Sequence, residues 1–339
     1  MILFSLEKMR ADDTPPKGYP NGVKAVTYPC PADGSEQPAL FWAPKTENDK
    51  PVPLLVALHT WSSDYRQAGG EVKYAEWCQK NGWVFIHPNF RGPNRTPEAL
   101  GSDLMIADIR AAVEWTKSQA VVDEMRIYAI GVSGGGHATQ LLAGRTPEIW
   151  AGISSWCGIS DIAAWHAQTI AAGRGNYARN IEGALRGPPD NPERLDDARH
   201  RSPLTWLENA SEVPLDLNHG INDGRAGSVP FTQTLNAWNA VVPEKAELDE
   251  AVIEKFYETR TPPAGRGEVS ADPLYGDRPP LFRLVHGNTR VTIFDGGHEI
   301  VHEAALNWLA AQRKGQPVNW NPPKIAELKA SDAEKQSGK

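Results

Sequence analysis

Apolar runs that suit β-strands alternate along this chain with segments in which apolar residues recur at helical spacing. The runs at 52–59, 83–90 and 126–133 have the length and continuity of buried strands, and segments 71–82 and 102–119 have a helical period. Parallel strands joined by crossover helices produce this alternation. The sequence therefore predicts the α/β class, with a mostly parallel central sheet flanked by helices.

The same patterns predict the remaining elements and the domain boundaries. Further strands are predicted at 39–45, 150–158, 214–220 and 290–297, and further helices at 135–144, 231–241 and 299–312. Irregular insertions near the functional site are expected at about 159–211 and 242–288, the first because it lacks strand character and is rich in Pro, Gly, Arg and Asn. The predicted organisation is an N-terminal extension at 1–37, one catalytic domain at 38–313 and a polar C-terminal tail at 314–339.

Charge and hydropathy exclude several classes of function. A formal net charge of −7 on 339 residues argues against a general nucleic-acid binder, which would present a basic surface. No apolar segment is long enough to span a membrane, so no membrane partner is expected. The first residues have too short an apolar run for a signal peptide. The chain is therefore expected to be cytoplasmic, or secreted with its signal removed, and its oligomeric state is left open.

The cysteine and tryptophan contents limit the kinds of site that the chain can build. Three cysteines, Cys30, Cys78 and Cys157, are too few for a disulfide-stapled scaffold or a cysteine-only zinc site. Three buried thiols are expected, with a single disulfide bond as the open alternative. Twelve tryptophans are a high number, and flat aromatic side chains pack in cores but also stack on sugars and aryl groups.

Residues 131–135, Gly-Val-Ser-Gly-Gly, match the G-x-S-x-G pattern of a nucleophile elbow. The elbow requires a strand before it and a helix after it, and both are predicted here. Its glycines are needed because the sharp turn leaves no room for a Cβ beside the serine. Ser133 is therefore the candidate nucleophile. The alternatives are a glycine-rich turn without chemistry and a phosphate-binding turn, for which no lysine follows in the P-loop position.

An elbow serine needs an acid after a later strand. Asp223 follows the predicted strand at 214–220 on a loop that could reach the serine. Asp161 is the best competitor, because some hydrolases keep the acid after the preceding strand. Asp216 lies within a strand, and Asp295 is too close in sequence to the candidate base to orient it. Asp223 is therefore the candidate acid.

The candidate base is His298, which follows the last predicted strand, where a serine hydrolase keeps the imidazole that takes the serine proton. Residues 298–302 also match H-E-x-x-H, the zinc-binding pattern of metalloproteases, with Glu327 as a downstream carboxylate. Such sites carry both histidines within a helix, whereas a strand and two glycines precede His298. The serine-hydrolase interpretation is favoured, with no metal and no cofactor, and His219 and His302 are the alternative bases.

Two segments outside the elbow add a family resemblance. Residues 89–94, Asn-Phe-Arg-Gly-Pro-Asn, are similar to the N-[YF]-R-G stretch of the prolyl oligopeptidase-like branch of the α/β-hydrolase superfamily. Residues 202–230 resemble the S-P…P…HGxxDxxVP segment of that branch, with Asp223 on the position of its acid. The resemblance covers about 38–312 and implies the α/β-hydrolase fold.

The chain also departs from that branch. The His-Gly pair after the third strand of the family is replaced by His59-Thr60-Trp61, and the loop after Asp223 is longer. The N-terminal region is far too short for the β-propeller that gates peptide entry in the large oligopeptidases. The resemblance therefore implies the fold and a Ser133, Asp223 and His298 triad more firmly than a substrate.

The motifs and the resemblance predict a serine hydrolase that cleaves carboxylic esters through an acyl-enzyme, on acylated carbohydrate or on small aryl or alkyl esters. The oxyanion is expected to bind the backbone N–H of Gly134 and that of Trp61, with Thr60 and Ser62 as alternative donors. The alternatives to an esterase are a peptidase of the same branch and a non-catalytic binding protein on a hydrolase scaffold.

Two tryptophans are candidate substrate contacts. Trp156 falls at the carboxyl end of a predicted strand, and Trp165 falls in the first insertion. An aromatic pocket there would suit a ring-shaped small-molecule or carbohydrate ester.

Overall fold

The computed structural model describes residues 14–45, 50–267 and 269–324. The first part of the predicted extension 1–37 lies outside the described residues, and so does most of the predicted tail 314–339, including Glu327. No helix in the described ranges is both long and apolar enough to cross a membrane.

In the described part of the chain, nine strands form one sheet in the order β1-β2-β4-β3-β5-β6-β7-β9-β8. The strands are β1 Lys24–Pro29, β2 Glu36–Trp42, β3 Val52–Leu58, β4 Val84–Pro88, β5 Val122–Val132, β6 Gly152–Trp156, β7 Leu215–Gly220, β8 Pro280–His286 and β9 Thr289–Phe294. Six neighbouring strands pair in parallel, namely β4, β3, β5, β6, β7 and β9. Strands β1 and β2 at one edge and β8 at the other edge pair antiparallel with their neighbours. The prediction of a mostly parallel central sheet of the α/β class is confirmed.

The described residues contain nine α-helices, most of them between parallel strands. They are α1 Glu71–Asn81, α2 Asp103–Gln119, α3 Gly134–Arg145, α4 Ile162–Ala171, α5 Gly175–Leu185, α6 Pro192–His200, α7 Thr232–Val241, α8 Glu250–Thr259 and α9 His302–Ala310. Helix α2 begins as predicted, because the Ser102 hydroxyl accepts a hydrogen bond of 3.1 Å from the N–H of Met105. Helix α1 ends at Asn81 and is followed by Gly82, which adopts the left-handed conformation common after a helix.

Both faces of the sheet are covered by helices, which explains why the central strands are continuous apolar runs. In β3, Leu54 and Val56 pack into the core on one face, and Leu55 and Ala57 pack into the core on the other. Buried side chains of α2, α3 and α7 belong to the first core, and those of α1 and α9 belong to the second. The parallel strands therefore present their carboxyl ends, and the loops that follow them, along one edge of the sheet.

Three parts of the structure differ from the sequence prediction. The insertion 159–211 contains no strand among its residues, all of which are described, but it forms α4, α5 and α6 and is not irregular. The segment 242–288 contains α8 and the edge strand β8, so the prediction of an irregular insertion there is wrong. The sheet begins with β1, inside the predicted extension. Strands β1 and β8 each bury only one or two side chains, so their apolar alternation is weak.

The three cysteines are buried free thiols, and no disulfide joins them in the described residues. This agrees with the expectation of three buried thiols.

Candidate active site

Ser133 occupies the turn between β5, which ends at Val132, and α3, which begins at Gly134. Its backbone has φ 60° and ψ −119°, which is strained for a residue with a Cβ. A Cβ added to Gly131 would lie 2.4 Å from the backbone of Gly135, so strand and helix approach too closely for a larger residue. The glycines of the elbow therefore permit the turn that lifts Ser133 above the sheet.

Asp223 and His298 are brought together by the loops after β7 and β9. Nδ1 of His298 lies 2.5 Å from Oδ2 of Asp223. The other carboxylate oxygen accepts hydrogen bonds from the N–H of Gly224 at 2.8 Å and of Val229 at 3.1 Å. The acid is fully buried, so these bonds fix its orientation. One acid–histidine pair thus forms at the carboxyl edge of the sheet.

A second histidine, His219, also contacts the carboxylate of Asp223. Its Nε2 lies 3.0 Å from Oδ2 of Asp223 and 3.0 Å from the carbonyl of Val229, while its Nδ1 lies 2.7 Å from the hydroxyl of Thr234. Because Nε2 faces two acceptors, this network assigns it the proton. His219 is fully buried and does not line the cavity described below, so it is not placed to serve as the base.

The charge of Asp223 is stabilised by both histidines. Burial by itself would raise the pKa of Asp223, but the hydrogen bonds from His219 and His298 outweigh it and hold the pKa well below its usual range. An ionised carboxylate on Nδ1 keeps the proton of His298 on that nitrogen and leaves Nε2 as an acceptor. That is the tautomer a general base requires.

A cavity of about 420 Å³ contains both Ser133 and His298 in its wall. No hydrogen bond joins Ser133 Oγ to His298 Nε2 among the described residues, and Ser228 Oγ lies 3.4 Å from that nitrogen. Loose contacts between nucleophile and base are common before substrate binds. A larger cavity of about 770 Å³ lies beside α4, α7 and α8 and contains neither Ser133 nor His298.

The backbones of the two candidate oxyanion donors touch. A Cβ on Gly134 would lie 2.5 Å from the backbone nitrogen of Trp61. Gly134 begins a helix, so its N–H has no intrahelical acceptor. The N–H of Trp61 has no acceptor among the described residues. Two adjacent free N–H groups beside Ser133 are what a tetrahedral oxyanion needs, and this assignment remains a prediction.

The two tryptophans proposed as substrate contacts do not line the cavity. Trp156 is fully buried, and its indole N–H bonds Ser154 Oγ at 2.8 Å within the core, so the prediction of substrate contact is wrong for it. Alternation along β6 directs this side chain into the core. Trp165 is also buried and packs edge-on behind Trp61, with ring centroids 4.6 Å apart. Trp165 therefore packs against Trp61, which lines the cavity, without lining the cavity itself.

Tyr177 of α5 lines the cavity, as do Gln67, between β3 and α1, and Glu71, the first residue of α1. Sequence reasoning missed all three. Tyr177 lies in the insertion for which no element was predicted. A buried Glu71 at the start of a helix resembles an ordinary first-turn carboxylate in the sequence.

The three specified residues of the H-E-x-x-H pattern point to different partners. His298 lies on the loop before α9 and bonds Asp223, whereas His302 is the first residue of α9 and its Nε2 lies 3.1 Å from the carbonyl of Gly70. The carboxylate of Glu299 accepts hydrogen bonds from the Arg278 guanidinium at 3.1 Å and from a backbone N–H. The pattern therefore does not form the helix-borne ligand pair of a metalloprotease.

The competing acids are engaged elsewhere. Asp161 caps α4 by accepting a hydrogen bond of 2.9 Å from the N–H of Ala164. Asp216 is buried in an ion pair with Arg290 at 2.7 Å. Asp295 is exposed. None of these three has a hydrogen bond to His298 among the described residues.

One set of metal-ligand types does converge at this site. Atoms of Cys157, Asp223 and His298 lie within 4.8 Å of one another, and thiol, carboxylate and imidazole are zinc ligands. Two of the three are already bonded to each other, and burial raises the pKa of the Cys157 thiol, which opposes thiolate formation. The residues therefore fit an acid–base pair better than a resident metal.

The sequence is similar to known hydrolases. The sequence model of the prolyl oligopeptidase family matches residues 73–255, more than half of the chain. Feruloyl esterase B from Thermothelomyces thermophilus is 26% identical over 121 residues, which cover 33% of this chain and 41% of that protein. The chain thus spans less than half the length of this curated relative.

Solved structures share the fold at low sequence identity. A puromycin hydrolase superposes with a TM-score of 0.58 at 16% identity, over 89% of this chain and 41% of the other. A puromycin-hydrolyzing peptidase of Mycobacterium tuberculosis gives 0.52 at 21% identity, over 65% of this chain and 34% of the other. A thermostable esterase gives 0.50 at 17% identity, over 86% of this chain and 64% of the other. These similarities establish the α/β-hydrolase fold.

Proposed function

The chain belongs to the prolyl oligopeptidase family, and on that premise we propose that it is a serine hydrolase that cleaves carboxylic esters with Ser133, Asp223 and His298 as its triad. The observation that carries the proposal is the strained turn of Ser133, which opens into the same cavity as the His298 that Asp223 orients. No other described aspartate or glutamate hydrogen-bonds His298.

The proposed reaction has two halves. Ser133 Oγ attacks the acyl carbonyl while His298 Nε2 takes its proton, and the tetrahedral oxyanion binds the N–H groups of Gly134 and Trp61. His298 then protonates the departing alcohol, which leaves an acyl-serine. Water attacks that ester with His298 again as base, and the second tetrahedral intermediate collapses to release the carboxylic acid while His298 returns the proton to Ser133 Oγ. Asp223 stays ionised and stabilises the imidazolium in both halves.

Esters are proposed over peptides because of leaving-group chemistry. An alkoxide leaves with little assistance, whereas an amine must be protonated as it departs, so a triad without special positioning of the nitrogen cleaves esters faster. The named activity of the feruloyl esterase relative agrees with an ester substrate. We propose acylated carbohydrates or small aryl and alkyl esters as the substrate class.

The test compares esters and amides on one enzyme preparation. Short-chain p-nitrophenyl esters are expected to give a kcat/KM higher by orders of magnitude than proline or alanine p-nitroanilide. An anilide cleaved as fast as an acetate ester would overturn the ester proposal and favour a peptidase. Cleavage of neither, with correct folding, would favour a binding protein on a hydrolase scaffold.

A further inference from the structure

The catalytic cavity contains a buried carboxyl group that the proposed triad does not use. Glu71, the first residue of α1, lines the cavity that contains Ser133 and His298, and it is 1% exposed. Its Oε2 atom is buried and has no hydrogen-bond partner among the described residues. Leaving a buried acceptor without a partner costs about 1–3 kcal/mol, so this atom calls for an explanation.

Capping of α1 explains only part of this arrangement. Burial raises the pKa of Glu71 to about 7, and the nearby backbone N–H groups of Glu71 and Gly69 oppose that rise. These contacts are those of a first-turn acid at a helix start. They leave Oε2 unpartnered, and capping does not require a carboxyl at the wall of a catalytic cavity.

Gln67 supplies a hydrogen-bond donor beside this acceptor. Its Oε1 accepts hydrogen bonds from the N–H and the hydroxyl of Thr60, at 2.9 and 3.1 Å, which leaves Nε2 as the group available to a ligand. A Cβ built on Gly69 would lie 3.3 Å from Glu71 Oε2 and 3.8 Å from Gln67 Nε2, so the two groups flank one point. An acceptor and a donor this close together suit a hydroxyl, which both donates and accepts.

A fixed aromatic side chain lines the same cavity. The ring of Tyr177 lies 5.2 Å from that of Trp165, which packs in turn against Trp61. Rings supported in this way present a flat apolar surface with little conformational freedom left to lose. Together with Glu71 and Gln67, this surface is complementary to a ring that carries hydroxyl groups.

Both signs of charge lie near the cavity and bear on the charge of its ligand. His302, which lines the cavity next to Gly70, has its pKa lowered to about 4, first by burial and then by the positive charge of Lys73. The imidazole is therefore neutral at pH 7, and Lys73 would repel a second cation, whereas Glu71, with a pKa of about 7, is about half ionised at that pH and would attract one. A neutral hydroxyl is not repelled by Lys73.

We propose that Glu71, Gln67 and Tyr177 form a subsite for a hydroxyl-bearing ring of the substrate, either a sugar in the alcohol portion or a hydroxyphenyl group in the acyl portion. The inference rests on the ester function proposed above and names its substrate class. Glu71 acts as a specificity residue, and Gln67 also holds Thr60 next to the candidate oxyanion donor Trp61, so Gln67 is left intact in the test.

The experiment measures ratios of kcat/KM for pairs of esters that differ in their hydroxyl groups. An acetylated methyl xyloside is compared with cyclohexyl acetate, and methyl p-coumarate with methyl cinnamate. A third pair, alanine methyl ester and methyl propionate, differs in an ammonium group. The proteins are the native chain, Glu71→Leu, Glu71→Gln and the control Glu76→Gln, an exposed glutamate of the same helix. Both esters of a pair are assayed on the same preparation. Inactive protein lowers the two kcat/KM values by the same factor, so their ratio does not depend on the folded fraction of a variant.

The native chain is expected to prefer the hydroxylated ester in at least one of the first two pairs by about tenfold or more. Glu71→Leu should remove most of that preference. Glu71→Gln should keep it within about threefold, since an amide can still accept from and donate to a hydroxyl. The control should match the native chain.

Three results would overturn the inference while the ester function stands. They are a ratio near one for both hydroxyl pairs, a preference that Glu71→Leu leaves unchanged, and a preference confined to the alanine ester and lost in both Glu71 variants. The last result would assign the subsite to a cation. Failure to cleave any of the esters would contradict the ester function itself, and this inference with it.

Discussion

Nδ1 of His298 lies 2.5 Å from Oδ2 of Asp223, although 75 residues separate the two along the chain. Parallel strands make this contact possible, because β7 and β9 are neighbours and deliver the loops after them to the same edge of the sheet. The Asp223 carboxylate also accepts hydrogen bonds from His219 and from two backbone N–H groups. The acid is therefore held by four donors before any substrate binds.

Asp223→Asn should lower kcat for p-nitrophenyl acetate by about 10⁴-fold, because an amide cannot hold the required tautomer of His298 or stabilise the imidazolium. Steady-state kinetics with circular dichroism as a check on folding measure this. Asp295→Asn is the matched control, since Asp295 is exposed on the loop that carries His298 and is expected to have little effect. A larger loss in the Asp295 variant than in the Asp223 variant would contradict the proposed acid.

Gly134→Ala should reduce kcat by about 10²- to 10³-fold. The added Cβ would lie 2.5 Å from the Trp61 backbone, so the two candidate oxyanion donors must move apart. Gly175→Ala is the control, because the nearest atom to its Cβ is 3.5 Å away on a flexible arginine. Equal activity of the Gly134 variant and the native chain would show that these N–H groups do not bind the oxyanion.

The ionisation of Glu71 should make its contribution to stability depend on pH. Its pKa is about 7 in the native protein against 4.5 for the free side chain, so between these values the native state binds more protons than the unfolded state. The unfolding free energy therefore falls as pH rises from about 4.5 to about 7, and the penalty is complete above 7. Glu71→Gln removes this effect.

Urea unfolding of the native chain and Glu71→Gln at pH 5 and pH 8 measures the difference. The unfolding free energy of Glu71→Gln minus that of the native chain should be larger at pH 8 than at pH 5, by on the order of 1–3 kcal/mol. Glu76→Gln serves as the control from the same helix. If the unfolding free energies of the native chain and Glu71→Gln differ by the same amount at both pH values, the pKa of Glu71 is not raised in the native protein.

Prolonged treatment with a strong chelator should leave ester hydrolysis unchanged, since Asp223 and His298 bind each other and the H-E-x-x-H residues point to separate partners. Metal analysis of the purified protein accompanies the assay. Loss of activity that zinc alone restores would favour a metalloenzyme.

The sequence was sufficient for the parts of the molecule that one strong local pattern specifies. Strand β3 is buried on both faces and is therefore apolar at nearly every position, and helix α2 carries its own serine cap. The elbow at Ser133 could be identified because a sharp strand–helix turn admits only small residues around the serine. Chain order then indicated Asp223 and His298 as its partners.

The remaining features depend on tertiary packing. Trp156 was expected at the cavity because it ends a strand, but the pleat of β6 directs it into the core. The edge strand β8 has few buried side chains, so its apolar pattern is too weak to indicate a strand. The positions of Tyr177 and Glu71 in the cavity wall depend on how α5 and α1 pack, which no local pattern specifies.

The most direct test of the account is covalent labelling by a fluorophosphonate probe followed by peptide mass spectrometry. The probe should label the chain once, at Ser133, and Ser133→Ala should lose both labelling and ester hydrolysis while keeping its fold. Ser228→Ala is the critical comparison, because Ser228 Oγ is the hydroxyl 3.4 Å from His298 Nε2. That variant should still be labelled at Ser133, whereas labelling that persists in Ser133→Ala and disappears in Ser228→Ala would contradict the proposed nucleophile.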